Sequence, residues 1–212
     1  YYNRMNRFFT VLSYLCHPVF LNFYVVVLFL FVHPYTASKM HGNARFLHIV
    51  ILFVNMVLLP LLLILFLKKR KLISSFQIPI QQERGVLFLM LGTLFGITTY
   101  QMYNQEFSYL LVGFLASVSL GLFVLYFINI LIKISMHTVS AGSVIGSFSY
   151  LVFVEGIQTL FYLLIIIILL AGLICSARLY LKAHNPSQIG LGYLIGFLIT
   201  TSTLWTITHV LN

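Results

Sequence analysis

The chain has 212 residues, of which 61% are hydrophobic and only 7% are charged, whereas a soluble domain carries roughly 25% charged residues. A water-facing surface cannot be built from this composition, so a soluble globular protein is excluded. The formal net charge of +9 indicates anionic lipid as a partner. Nucleic acid is excluded as a partner, because the Tyr and Phe residues lie mostly inside apolar runs or at their ends.

Seven apolar runs of about 20 residues follow one another, the length at which a helix crosses a hydrocarbon core of roughly 30 Å. Lipid satisfies no backbone hydrogen bonds, and the runs lack the alternation of a membrane β-strand. We therefore predict an all-α, polytopic transmembrane bundle of about seven (six to seven) spans, with residues 1–212 forming a single integral membrane domain. The predicted spans are 8–32, 46–68, 86–104, 108–132, 139–155, 157–177 and 188–210.

Polar interruptions separate these spans. Residues 33–45 form the first loop and residues 69–85 the longest one, while residues 104–106 and 155–158 mark tight hairpins. His17-Pro18 interrupts the first span, where we favour a kink whose polar groups are satisfied by a neighbouring helix. That span is predicted to remain in the protein, since it is longer than a signal-peptide core and no small-residue cleavage site follows it.

Most basic residues fall on one side of the predicted membrane. With seven spans, the N-terminus shares a side with loops two, four and six, and the positive-inside rule places that side in the cytoplasm. The same residues could instead line a site for an anionic head group. They are Arg4, Arg7, Lys68, Lys69, Arg70, Lys71, Arg84, Lys133, Arg178 and Lys182.

Several other kinds of site are disfavoured by the sequence. Cys16 and Cys175 lie in different spans, each without a second Cys nearby, so we predict neither a disulfide nor a metal site, and no cofactor. An ion carrier usually needs acidic residues at the bilayer centre, and here Glu83, Glu106 and Glu155 all lie at predicted loops.

The segment 176–188 is polar in an otherwise apolar chain. Pro186 disfavours helix at Asn185, which is then predicted to be the N-cap of the last helix, with Gln188 three residues after it. His184 thus lies beside a helix N-terminus, where free N–H groups and the positive end of the helix dipole favour an anion.

Two basic residues accompany His184. Arg178 and Lys182 are spaced i,i+4, which points both cations in the same direction on a helix and predicts a phosphate site. Alternatively, both side chains extend to the lipid head groups and His184 caps a helix C-terminus.

The spacing Ser176-Ala-Arg178-x5-His184-x3-Gln188 resembles the third motif of the type 2 phosphatidic acid phosphatase (PAP2) superfamily, Ser-Arg-x5-His-x3-Asp. Ser135-Met-His137-Thr-Val-Ser140-Ala lies where that family has Pro-Ser-Gly-His, and residues 77–85 lie where it has Lys-x6-Arg-Pro. Loops two, four and six would bring the three segments to one membrane face. The region around His17-Pro18 is similar to a divergent bacterial branch of the family, which implies a bacterial inner membrane.

The resemblance implies a mechanism. In PAP2 enzymes the third-motif His attacks phosphorus and forms a phosphohistidine, the Asp four residues later orients it, and the second-motif His protonates the leaving oxygen. The resemblance therefore implies that His184 is the nucleophile and that Arg178 and Arg84 hold the phosphate. Lys182 is predicted to bind the head group with them.

Three positions depart from the family pattern. Gln188 stands in place of the Asp, Ser140 in place of the second-motif His, and Gln77 in place of the first-motif Lys. A Gln amide brings no negative charge to an imidazolium, and a Ser hydroxyl is a poor general acid. His137, three residues before Ser140, is the candidate substitute for the acid.

Two function classes follow for this PAP2-like membrane protein. The first is a lipid or polyprenyl phosphate phosphatase with impaired catalysis, and the second is a non-catalytic membrane subunit of a larger complex. We expect binding of lipid phosphate head groups in either class, because Arg178 and His184 are retained. Gly142-x3-Gly146 and Gly192-x3-Gly196 predict close helix packing, within the bundle or against a partner chain.

Overall fold

The computed structural model describes residues 2–33, 42–75, 78 and 80–210, and all regular structure within them is helical. This confirms the predicted all-α fold class. A π-helical turn (Val54–Leu58) and a 3-10 turn (Gln158–Leu160) accompany the α-helices. These helices are α1 (Tyr2–Leu15), α2 (Pro18–Val32), α3 (Asn43–Phe53), α4 (Leu59–Lys69), α5 (Gln81–Asn104), α6 (Tyr109–Leu131), α7 (Met136–Phe153), α8 (Phe161–Tyr180) and α9 (Pro186–Val210).

Within the described residues, five helical segments are long and apolar enough to cross a membrane, or six if the bent pair α1–α2 is one span. The five are Arg45–Lys69, Gln81–Asn104, Tyr109–Leu131, Gln158–Tyr180 and Pro186–Val210. The predicted span 139–155 corresponds to α7, which is outside this set. Because α7 is buried along most of its length by other helices, its surface can be rich in Ser and Gly instead of lipid-facing apolar residues.

The first predicted span is two helices that meet at an angle of 57°. Pro18 is the first residue of α2, and His17 is its N-cap in an extended conformation. Proline has no N–H and its ring clashes with the preceding turn of a helix, so a continuous helix is broken here. The break places His17 at the junction, beside the start of α7.

The segment Arg45–Lys69 crosses without such a bend although it contains Pro60. The π-helical turn Val54–Leu58 immediately precedes this proline. Pro60 has no N–H to donate to a carbonyl of the preceding turn, and the widened π-helical turn accommodates this. In the same region, Asn55 Nδ2 donates to the Ile51 carbonyl, 2.9 Å away.

The bundle is centred on the contact between α7 and α9. A Cβ at Gly142 would overlap the Tyr193 carbonyl oxygen, and a Cβ at Gly196 would overlap the Val139 carbonyl oxygen. The glycines therefore let the two backbones touch, which only residues without side chains permit. Of the two uses that the Gly-x3-Gly spacing predicted, the structure shows packing within the bundle.

The loops gather at two ends. At one end, Arg84 of α5 links the segment before it to the α6–α7 loop through the carbonyls of Ile78 and Ile134. At the other end, His33 Nε2 lies 3.0 Å from Glu155 Oε2. Predicted loops two and four thus lie together, and the α8–α9 turn with His184 joins them.

Candidate phosphate site

The turn between α8 and α9 is built by a reciprocal pair of hydrogen bonds. The backbone N–H of Gln188 donates to Asn185 Oδ1 at 2.9 Å, and the backbone N–H of Asn185 donates to Gln188 Oε1 at 3.4 Å. This is the capping box that the sequence predicts for Asn185 and Gln188. It fixes the start of α9 and, with it, the position of the adjacent His184.

The capping box also determines the orientation of His184. Its Nδ1 lies 2.9 Å from Gln188 Oε1. Because the same oxygen accepts the N–H of Asn185, the Gln188 side chain presents an acceptor, and Nδ1 of His184 must carry the proton. The lone pair of the neutral imidazole is then on Nε2, the nitrogen a nucleophile would use.

His184 lies in a partly buried, positively charged environment. Burial lowers the pKa of its imidazole to about 4, against the hydrogen bond with Gln188, which raises it. The charges of Arg178, Arg84 and Lys133 lower it further. The ring is therefore neutral at pH 7, with a free lone pair beside three cations.

Arg178, in the last turn of α8, is a predicted phosphate ligand with an unused donor. Its Nη1 donates weakly to Ser13 Oγ at 3.4 Å. Its Nε is buried and has no hydrogen-bond partner among the described residues. A buried guanidinium that lacks acceptors is costly, and a phosphate oxygen is the kind of group that would satisfy it.

Arg84, the second predicted phosphate ligand, has a different environment. It is buried, with Nε donating to the Ile78 carbonyl and Nη1 to the Ile134 carbonyl, each at 2.9 Å. Two of its donors thus connect loops, and its charge acts on the site mainly through space.

Lys182 lies beyond the end of the helix that carries Arg178, whereas Lys133 adds a charge that the prediction of the phosphate ligands did not include. Helix α8 ends at Tyr180, and Lys182 is exposed in a left-handed conformation with φ 50°, so it does not continue the helical face of Arg178. Lys133, in the α6–α7 loop, acts electrostatically on His184 instead. Burial lowers the pKa of Lys133, and the charges of Arg84 and Arg178 lower it further. The sequence feature that could have identified Lys133 is its position in predicted loop four, on the same side of the membrane as the three motif segments.

A cavity brings the site residues together. It is lined by Arg84, Arg178, His184 and His137, and also by His17 from the α1–α2 break. A second cavity, lined by Ser13, His17, His137 and Arg178, adjoins it beside α1. The sequence predicts His17 only as part of a kink, whereas in the structure it lines both cavities.

Ser140, which stands where the family has a His, and His137, its candidate substitute, do not take the place of the second-motif acid in this structure. Ser140 is buried and lines a separate, mostly apolar cavity. His137 lies in the first turn of α7, where its Nε2 is 3.1 Å from the Ser13 carbonyl. As a carbonyl only accepts, Nε2 of His137 donates and its free nitrogen is Nδ1. Gln77 lies outside the described residues.

The apolar cavity extends from the site toward the bundle interior. It shares Pro18, Val19, Leu91 and Met136 with the cavity that holds His184. Its other lining residues come from α2, α5, α6, α7 and α9. The polar pocket at the loop end and the apolar cavity among the helices thus lie side by side and share part of their walls.

Comparison with known proteins supports the resemblance carried by the motifs. The model of the PAP2 superfamily matches residues 130–210, which is less than half of the chain and contains α7, α8 and α9. Searches of curated proteins and of solved structures found no match. Arg178, His184 and His137 lie within the matched segment, whereas Arg84 and His17 lie outside it.

Proposed function

We propose that this protein, whose match over residues 130–210 supports membership of the PAP2 superfamily, binds the phosphate head group of a membrane lipid between Arg178 and His184. The observation that carries the proposal is the buried Nε of Arg178, which has no acceptor within the described part of the chain, in a residue that lines the same cavity as His184.

The charges around the cavity support an anionic ligand. Arg84, Lys133 and Arg178 all act electrostatically on His184, and among the described residues no acidic side chain lines either of the two adjoining cavities. Like charges gathered in a partly buried site repel one another unless an anion balances them. A phosphate supplies two negative charges and several acceptor oxygens.

The apolar cavity favours a lipid over free phosphate as the source of that group. Pro18, Val19, Leu91 and Met136 form a shared wall between the charged and the apolar cavity. A phosphate monoester of a lipid alcohol can place its head group against Arg178 while its chain lies along this wall. We propose an inner-membrane location in a bacterium, with the basic loop end and the N-terminus in the cytoplasm.

Binding is testable with purified protein in phosphatidylcholine nanodiscs that contain phosphatidic acid. Arg178→Gln should weaken binding of phosphatidic acid by about tenfold or more, since a charge-assisted hydrogen bond contributes roughly 1.5–3 kcal/mol. Lys69→Gln is the matched control, because it removes one exposed charge from the same end. Inorganic phosphate that binds as tightly as phosphatidic acid would point to a free anion and against a lipid head group.

Catalysis at this site is a second candidate function, and it is favoured by the tautomer of His184. With Nδ1–H held by Gln188, Nε2 can attack phosphorus, while the bond from phosphorus to the lipid oxygen breaks. The departing alkoxide takes a proton from a water molecule, and a second water molecule then attacks the phosphohistidine and releases phosphate. Against efficient catalysis, Gln188 brings no negative charge and Ser140 lies in the apolar cavity.

Release of phosphate distinguishes the two classes. Phosphatidic acid, phosphatidylglycerol phosphate and undecaprenyl pyrophosphate are supplied in detergent to the wild-type protein and to His184→Ala. Release that disappears in the variant supports a phosphohistidine mechanism. Phosphatidic acid binding without release, in a protein that co-purifies with other membrane proteins, supports a non-catalytic subunit of a larger complex.

A further inference from the structure

His17 lies at the break between α1 and α2, far in sequence from the motifs of the site. It lines both adjoining cavities together with Arg178 and His137. Its ring centroid is 5.6 Å from that of His137, with the two rings nearly perpendicular. An imidazole that only kinks a helix could face lipid or a neighbouring helix, but this one faces the cavities.

The hydrogen bond made by His17 identifies which nitrogen is free. As the N-cap of α2, its Nδ1 accepts the backbone N–H of Val19 at 3.4 Å. In the neutral ring the proton is then on Nε2. Within the described residues, no hydrogen-bond partner of this Nε2–H is found, so the donor remains available to a ligand.

The two neighbouring imidazoles have the opposite arrangement. His137 uses its N–H on the Ser13 carbonyl and is left with a lone pair. His184 uses its N–H on Gln188 and is also left with a lone pair. A phosphate oxygen needs donors, so His17 is the imidazole of the three whose free nitrogen suits one.

We propose that His17 completes the phosphate site by donating its Nε2–H to an oxygen of the head group held by Arg178. This inference rests on the proposed binding of a lipid phosphate. It assigns a ligand role to the N-terminal helix pair, which lies outside the segment matched by the superfamily. His17 would then have two roles: it caps α2 at the break between α1 and α2, and it donates to the phosphate.

Two substitutions separate the capping role of His17 from the ligand role. His17→Asn keeps an acceptor close to the position of Nδ1, and Asn is among the preferred N-cap residues. His17→Gln places an amide donor close to the position of Nε2 but is a poorer cap. A purely structural histidine predicts that the Asn variant behaves like the wild type in every assay.

The experiment measures binding of phosphatidic acid in phosphatidylcholine nanodiscs and, on the same samples, the melting temperature. We expect His17→Asn to melt like the wild type and to bind phosphatidic acid more weakly by about tenfold or more, because it loses one hydrogen bond to a charged group. We expect His17→Gln to melt lower and to bind more tightly than His17→Asn.

Equal binding by His17→Asn and the wild type overturns the inference, and so does a Gln variant that binds no better than the Asn variant. A wild-type protein that shows no preference for phosphatidic acid over phosphatidylcholine overturns the proposed function itself. If Arg178→Gln loses binding while His17→Asn binds normally, the proposed phosphate site is supported and His17 is not one of its ligands.

Discussion

The side-chain oxygen of Gln188 lies 2.9 Å from Nδ1 of His184. In this arrangement an amide occupies the position at which PAP2 enzymes have a carboxylate. The geometry that orients the imidazole is therefore present, while the negative charge that would stabilise its cationic forms is missing. Gln188 therefore orients the imidazole without supplying a negative charge, whereas the Asp of PAP2 enzymes does both.

Gln188→Asp tests the missing charge. A carboxylate at this position should raise phosphate release from phosphatidic acid at least about tenfold over wild type, because it keeps the acceptor for Nδ1–H and adds a negative charge that stabilises the imidazolium. Gln188→Leu, which removes the acceptor, is the control and should abolish any release. Release that stays at the level of His184→Ala in the Asp variant would show that the charge is not what limits this site.

The low pKa of His184 predicts a specific pH dependence of stability. The pKa is about 4 in the folded protein and about 6.5 in an unfolded chain, so the unfolded state binds the proton first as the pH falls. The stabilising contribution is present above pH 6.5 and is lost between about 6.5 and 4.

Thermal unfolding in detergent from pH 8 to pH 4 checks this dependence. The melting temperature of the wild type should fall more steeply below pH 6.5 than that of His184→Gln, which has no group that titrates there. Parallel curves for the two proteins would contradict the assignment of the low pKa to His184.

The sequence predicted the features that depend on interactions between residues close together in the chain. The cap at Asn185 and the role of Gln188 follow from residues within one turn of a helix, and both are observed. The same-direction prediction for Arg178 and Lys182 is not met, since it assumed that α8 continues beyond Tyr180.

Long-range placement was harder to predict from the sequence. His17 reaches the site only because the break at Pro18 turns α1 over the start of α7, and no spacing within the sequence encodes that contact. Lys133 is similar, since its effect on His184 depends on how the α6–α7 loop meets the α8–α9 turn. Residues contributed by separate helices need the packed bundle before their roles can be assigned.

Arg84→Lys tests whether the buried guanidinium is structural. Its two hydrogen bonds, to the carbonyls of Ile78 and Ile134, require a planar group with several donors, which an ammonium cannot reproduce. We expect a loss of roughly 2 kcal/mol in the free energy of unfolding, from a buried acceptor left without its partner. Arg7→Lys, at an exposed position of α1, is the control and should unfold like the wild type; equal stability of the two variants would refute the structural role.

The contact between α7 and α9 predicts the largest effect of a single methyl group. Gly142→Ala and Gly196→Ala each place a Cβ against a backbone carbonyl of the other helix, and because backbone cannot rotate away, the helices must separate. We expect each to lower the free energy of unfolding by about 1–3 kcal/mol or more. Gly172→Ala adds the same methyl group to α8 where no atom of the described residues lies within 4 Å, so it should leave stability unchanged or raise it by up to about 1 kcal/mol. Melting temperatures in detergent compare the three, and a Gly172 variant as unstable as the other two would show that contact between α7 and α9 is not what sets the cost.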